Sequence, residues 1–243
     1  MKIEAVTVCV DYADFLEITL PYLKAVADDL VVVTAPQDRR TRDLCRREDV
    51  HALITTAMFD HGRKFSLGAA LDAGLRSIPL EDWTLVVDAD IVLPCGTRRI
   101  LSHSRLDKFK LYGIDRVHCR GWQAANKFAT SPRVMRMAEV PFLRDFPVGA
   151  RISLPDFGYM PCGFFQLWNA GATGYRDYPI HEAGTAQGSD MMHAARFPRQ
   201  YRELLPDPVG LQLETDAPDD PVGVNWAGRR TAEFSQEGGP YRR

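Results

Sequence analysis

The sequence predicts an α/β protein with a mostly parallel sheet flanked by helices. Three observations predict it. Short apolar, β-branched runs alternate with segments of helical period over the first hundred residues. The runs are continuously apolar, as in strands covered on both faces. The composition is that of an ordinary globular chain: 243 residues, 45% hydrophobic, 26% charged, formal net charge −2. Such a length buries a core without disulfide or metal staples.

The first strand is expected over Val6 to Val10, with Asp11 to Asp14 as a turn. Leu16, Leu20, Leu23 and Val26 then recur at helical spacing. Leu30 to Thr34 reads as a second strand, closed by Ala35-Pro36-Gln37-Asp38. Thr41 to Arg47 suits a polar helix, and Ala52 to Thr56 a third strand. Leu67, Ala70, Leu71, Gly74 and Leu75 form a helix face, and Trp83 to Val87 is the fourth strand. Beyond residue 98 the pattern gives few strands. Residues 98 to 151 carry twelve Lys or Arg against four acids, a local surplus of eight positive charges. Residues 203 to 220 hold six acids and no Lys or Arg. The organisation read from this is a ligand-binding half over 1–97, a second half of the same domain over 98–230, and a flexible tail over 231–243.

Several classes are excluded. No run approaches the ~18 apolar residues of a membrane span, and the N-terminus lacks a basic-then-apolar signal. Five scattered cysteines without a C-x-x-C pair argue against a zinc ribbon or disulfide scaffold, and for reduced thiols in a cytoplasm.

Chemistry concentrates in Thr84-Leu85-Val86-Val87-Asp88-Ala89-Asp90. An extended chain would put Asp88 and Asp90 on one face with Ala89 turned away. Paired carboxylates at the carboxyl end of a parallel strand lie where open α/β sheets take ligands, and hard cations such as Mg²⁺ or Mn²⁺ want oxygen donors. The plain alternative is two solvated loop acids. Upstream, Gly62-Arg63-Lys64 leads into the small-residue segment from Leu67 to Leu75, which suits an approaching diphosphate or, more simply, a basic loop capped onto a packed helix. His181 and His193 read as hydrogen-bonded rather than ligating, Trp83, Trp122 and Trp168 as core or interface, and Arg39 to Arg47 as a solvated helix face, with Arg39 or Arg40 within reach of a nucleotide.

Together these stretches resemble the GT-A glycosyltransferases, particularly the family-two-like group. The resemblance implies a GT-A type Rossmann-like sheet with an acceptor-side second half. Val10, Asp11, Tyr12, Thr34, Asp38, Arg63, Lys64, Asp88, Ala89 and Asp90 would face the donor, a UDP-sugar by default, with Asp90 and Asp88 on Mn²⁺ or Mg²⁺. Met160 to Trp168 resembles the strand lining sugar and acceptor, with Gly163, Phe164, Gln166 and Trp168 at that side. Gly188-Ser189-Asp190 resembles the acidic motif opening the acceptor-side helix, which makes Asp190 the general base of an inverting enzyme. Two departures stand out. Ser189 occupies a position often held by a second acid, and no His follows His193, where many relatives place a metal-completing histidine. Asn225-Trp226-Ala227-Gly228-Arg229 resembles a signature of small phage-type relatives, which implies action in a host cytoplasm.

The basic segment points to a polyanionic acceptor, and a hydroxymethylated pyrimidine in phage DNA, flipped out for access, offers a primary hydroxyl. Pairing of those cations with residues 203 to 220 is the competing account. Glycan, lipid or protein hydroxyls are alternative acceptors. Outside glycosyl transfer stand a sugar-phosphate nucleotidyltransferase, disfavoured by the lack of a Gly-rich basic loop after the first strand, and a catalytically silent nucleotide-binding module.

Overall fold

The computed structural model describes residues 1–63, 65–120, 149, 151–181 and 188–214. Lys64, Trp122, Glu182, the Asn225–Arg229 signature and the tail from 231 lie outside the described residues, as does most of the basic segment between 121 and 148.

Strand and helix alternate as β1 (Ile3–Val8), α1 (Ala13–Val26), β2 (Asp29–Thr34), α2 (Arg39–Arg47), β3 (His51–Ile54), α3 (Leu67–Leu75) and β4 (Trp83–Val87). Then come β5 (Ile91–Val92), α4 (Thr97–His103), β6 (Leu111–Arg120), β7 (Ile152–Leu154), β8 (Gly158–Met160), β9 (Phe165–Asn169), α5 (Ala170–Thr173), α6 (Ser189–Ala195) and β10 (Arg202–Glu214). Eight strands join in the order β3-β2-β1-β4-β9-β6-β10-β5, while β7 and β8 form a separate hairpin pair. The four strands β3, β2, β1 and β4 run parallel. Strand β9 is antiparallel to both β4 and β6, β10 is parallel to β6, and β5 is antiparallel to β10.

The core follows from the period of two along each strand. Ile3, Ala5, Val32, Leu85 and Val87 pack on one face with Leu16, Leu20, Leu23 and Val26 of α1, Leu44 of α2 and Leu101 of α4. Val6, Val31, Val33 and Val86 pack on the other with Ala70, Leu71 and Leu75 of α3 and Ala194 of α6. A sheet covered on both sides explains why these strands read as unbroken apolar runs.

Two expectations are corrected, and one pairing was not foreseen as a strand. The first strand spans Ile3–Val8 rather than 6 to 10, so Val10 already belongs to the connection into α1. The stretch Met160 to Trp168 is two strands, β8 ending at Met160 and β9 beginning at Phe165, with Gly163 and Phe164 in the loop between. The acidic segment from residue 203 begins as the long strand β10, which pairs with β6 of the basic segment.

Candidate functional site

The carboxyl ends of β1, β2 and β4 lie along one edge of the parallel sheet, the place where such sheets bind ligands. Strand β4 is buried throughout and stops at Val87. Asp88 to Ile91 turn back on themselves, the Ile91 N–H donating to the Asp88 carbonyl at 3.1 Å, so the expected extended alternation of Asp88 and Asp90 does not occur. The turn is held from three sides. Thr19 of α1 donates its hydroxyl to the Ala89 carbonyl (2.7 Å). The Leu213 N–H donates to the Asp90 carbonyl (2.9 Å), and the Asp88 N–H donates to the Phe164 carbonyl (3.3 Å). Asp90 is 6% exposed, and its Oδ2 accepts a hydrogen bond from Gln212 Nε2 at 3.3 Å.

The residue before Phe164 reaches the other acid. The Gly163 N–H donates to Oδ2 of Asp190 at 2.9 Å, so consecutive peptides of one loop bind Asp88 and Asp190. Asp190 sits in the first turn of α6, entered through Gly188 in the left-handed region (φ 89°). Gln166 anchors that helix start. Its Nε2 donates to the carbonyls of Pro161 (2.8 Å) and Asp190 (3.0 Å), and its Oε1 accepts from the Tyr178 hydroxyl (2.6 Å). The shared electrostatics agree with that proximity. Burial, and then the negative charges of Asp190 and Asp88, push the Cys162 thiol up to about 11. The Tyr178 phenol is raised by the same causes.

On the β1 and β2 side, the predicted residues Asp11, Thr34 and Asp38 come together. Oδ2 of Asp38 accepts from the Asp11 N–H (2.8 Å), the Thr41 hydroxyl (2.6 Å) and, more distantly, the Thr34 hydroxyl (3.4 Å). Oδ1 of Asp38 accepts from the Thr41 N–H (3.0 Å), so Asp38 also caps α2. This clamp holds Asp11 in the left-handed region (φ 66°), a conformation that carries strain outside glycine. Tyr12 is the N-cap residue of α1 and stacks on Phe15 at 5.4 Å, whereas Val10 is buried in the cluster of Val33 and Ala70. Arg63 ends the tight turn Ala57–Gly62, and Ser66 caps α3 by accepting from the Ala69 N–H (3.3 Å).

The residues expected at the sugar and acceptor side divide. Gly163 and Phe164 lie in the loop beside Asp88 and Asp190, and the Arg116 guanidinium sits 4.4 Å over the Phe164 ring. Gln166 and Trp168 are wholly buried, Gln166 as the anchor just described and Trp168 in the core, its indole N–H on the Tyr175 carbonyl (2.9 Å). His193 is also fully buried, 4.7 Å from Tyr178 and stacked on it. Burial lowers its pKa from 6.5 to about 3, so it is neutral and packs as an aromatic ring.

Among the described residues no group of three His, Cys, Asp or Glu side chains lies together to hold a metal. The donor set nonetheless suits a hard cation: two carboxylates in one turn, and beside Asp90 the amide of Gln212, whose Oε1 is buried without a hydrogen-bond partner. Sequence reasoning did not identify Gln212, Arg116 or Tyr178. The one signal for Gln212 was a single amide between Leu211 and Leu213 in a period-two apolar run.

No protein-family model matches the chain, and no curated protein matches it either. Solved structures do. The chain is similar to a crystal structure described as a mycobacterial protein, at 14% identity and TM-score 0.55, covering 90% of this chain and 69% of that one. It is also similar to glucosyl-3-phosphoglycerate synthase from Mycobacterium tuberculosis. One structure, with Mn²⁺, UDP-glucose and phosphoglyceric acid, matches at 12% identity and TM-score 0.54, over 90% of this chain and 74% of that one. Another, with Mn²⁺, UDP and glucosyl-3-phosphoglycerate, matches at 11% identity and TM-score 0.52, over 87% and 71%. The fold of this chain is the GT-A fold.

Proposed function

We propose that the protein is a glycosyltransferase that moves a sugar from a nucleotide sugar, UDP-linked by default, to an acceptor hydroxyl with the help of Mn²⁺ or Mg²⁺. One observation carries the reading: within a GT-A fold, the Asp88–Asp90 turn and the helix-borne Asp190 are fastened to the same loop through Phe164 and Gly163. Asp88 and Asp90 would hold the cation, which when bound supplies a Lewis acid for the departing diphosphate. Asp190 takes the proton of the acceptor hydroxyl as its oxygen bonds to the anomeric carbon and the bond to the diphosphate oxygen breaks. The Asp38 clamp shapes the loop around Asp11 on which the nucleotide would rest, and Arg63 is the described cation that would meet the diphosphate.

The finer reading concerns the acceptor. One of the glucosyl-3-phosphoglycerate synthase structures holds an anion, phosphoglyceric acid, together with UDP-glucose, and Arg116 is a half-buried cation beside Phe164 here. An anionic acceptor fits this corner. Its most specific form is a hydroxymethylated pyrimidine in DNA, modified by a phage-type enzyme acting in a host cytoplasm. A glycan, lipid or protein hydroxyl is the alternative.

The test combines UDP release with nucleoside mass spectrometry on plain and hydroxymethylated DNA, using a panel of UDP-sugars with and without chelator. Asp90→Asn should lower turnover by orders of magnitude while the thermal melt holds. Full activity in excess chelator defeats the cation-dependent reading. Retained UDP-sugar binding without any turnover would identify a silent nucleotide-binding module.

A further inference from the structure

Gln212 is 8% exposed, in the middle of β10, where β10 runs antiparallel to the two-residue strand that follows Asp90. Its register partner on that strand is Ile91. The backbone on either side is therefore fixed, and the neighbouring Leu213 N–H binds the Asp90 carbonyl at 2.9 Å. Leu211 and Leu213 point into an apolar cluster with Phe15 and Val92. Gln212, at the alternate position, turns the other way, and its Nε2 meets Oδ2 of Asp90 at 3.3 Å. Its Oε1, bonded to the same carbon as Nε2, also lies beside Asp90. That oxygen is buried and has no hydrogen-bond partner. A buried amide oxygen without a partner is unfavourable, because it has given up water for nothing, so its presence next to a buried carboxylate calls for an explanation. Meanwhile no third His, Cys, Asp or Glu among the described residues joins Asp88 and Asp90 in a metal-holding group.

We infer that Gln212 is the third protein group of the cation site, its carboxamide oxygen forming an all-oxygen donor set with Asp88 and Asp90. The inference rests on the nucleotide-sugar reading above and deepens it. In the arrangement described, the amide donates to Asp90. Rotation of the amide about its last side-chain bond exchanges N–H for oxygen and turns a lone pair toward a cation at Asp90. Neutral amide oxygens are ordinary ligands of Mg²⁺ and Mn²⁺, and they add a donor without adding a third negative charge to a buried site. The choice of oxygen over imidazole nitrogen also sets the selectivity. A histidine in this place would favour softer transition metals, whereas an amide keeps Mg²⁺ competitive.

The experiment measures Mn²⁺ and Mg²⁺ affinity of the full chain, by electron paramagnetic resonance of free Mn²⁺ and by Mg²⁺ competition, with and without UDP. Wild type is compared with Gln212→Leu, Gln212→Glu, Gln212→His and Asp90→Asn, and metal-free melts check folding. Gln212→Leu should weaken Mn²⁺ binding by ~10–100-fold, and Gln212→Glu should restore it. Gln212→His should raise the preference for Mn²⁺ over Mg²⁺, a ratio that a merely structural glutamine would not move. If Asp90→Asn abolishes Mn²⁺ binding while all three Gln212 variants keep the wild-type affinities and ratio, the inference fails and the glycosyltransferase reading stands. If wild type binds neither cation under either condition, both fail.

Discussion

Asp190 and Gly163 constrain each other closely. The Asp190 carboxylate accepts the Gly163 N–H, and a Cβ built on Gly163 would stand 2.9 Å from Cβ of Asp190. Asp190→Asn keeps an oxygen for that hydrogen bond but removes the proton acceptor. Transfer should collapse by ~10²–10⁴-fold while UDP binding, read by calorimetry, stays near wild type. An unaltered rate would remove Asp190 from the chemistry. His193 gives a prediction of a different kind. Its ring is buried against Tyr178 and Trp168, and burial takes its pKa from 6.5 to about 3. Below pH 6.5 the unfolded chain binds a proton that the folded one refuses, so stability falls as pH drops toward about 3. The slope is about 1.4 kcal/mol per pH unit. His193→Phe should flatten this part of the stability–pH curve in urea titrations between pH 6.5 and 4. An unchanged slope would place the acid sensitivity elsewhere.

Two glycines of helix α3 separate packing from function. A Cβ on Gly74 would stand 2.5 Å from a Val6 methyl and 2.7 Å from a Val33 methyl, both on the sheet. A Cβ on Gly68 would collide with the Pro179 carbonyl and the Ser189 hydroxyl, which open the way into α6 and Asp190. Gly74→Ala and Gly68→Ala should each cost ~1–3 kcal/mol by overpacking. Only Gly68→Ala should also lower kcat of the folded enzyme, because it displaces the helix that carries Asp190; equal kcat in the two variants would refute that link. The sequence disclosed α3 because its apolar and small residues repeat at helical spacing, and it disclosed β2 and β4 because strands buried on both faces are unbroken apolar runs. The same logic hid β6 and β10. Asp115, Arg116 and His118 interrupt β6, and Pro206-Asp207-Pro208 interrupts β10 where its register against β6 shifts between Leu204 and Val209. Proline at an irregularity is compatible with a strand, yet in sequence it reads as a loop. The candidate site was legible in its acids and not in its amide. Asp88 and Asp90 stood out as acids at the end of an apolar strand and Asp190 through a resemblance of motif, whereas Gln212 acquires meaning only through the pairing of β10 with β5.

At the scale of the whole molecule, the net charge of −2 conceals a strongly basic middle segment, and the structure shows how its described part is balanced. Arg98 pairs with Asp28 (2.7 Å), Lys110 with Glu203 (2.7 Å) and Arg151 with Asp115, all at the protein surface. The Lys110–Glu203 pair joins the basic segment to the acidic strand β10, which is the internal compensation that competes with DNA binding. Exposed pairs of this kind are weak and screened by salt, so they leave the cations able to exchange a carboxylate for a phosphate. The two accounts therefore part at Arg120, Lys127, Arg133 and Arg136, four cations of the middle of the segment. If they meet a DNA acceptor, neutralising all four should weaken DNA binding at fixed salt. The log–log salt dependence should flatten by ~0.9 for each phosphate that the variant no longer neutralises on a B-form duplex. UDP binding should hold, since the proposed donor site is at the carboxyl ends of β1, β2 and β4. If instead they serve internal pairing, the melting temperature falls and the salt slope for DNA, already shallow, does not move. A small anionic acceptor gives a third pattern: neither slope nor melt changes, while Arg116→Ala, beside Phe164, raises the acceptor KM. Salt titration, melt and acceptor kinetics on the same two variants thus assign the charge of this segment to nucleic acid, to the fold, or to a small acid.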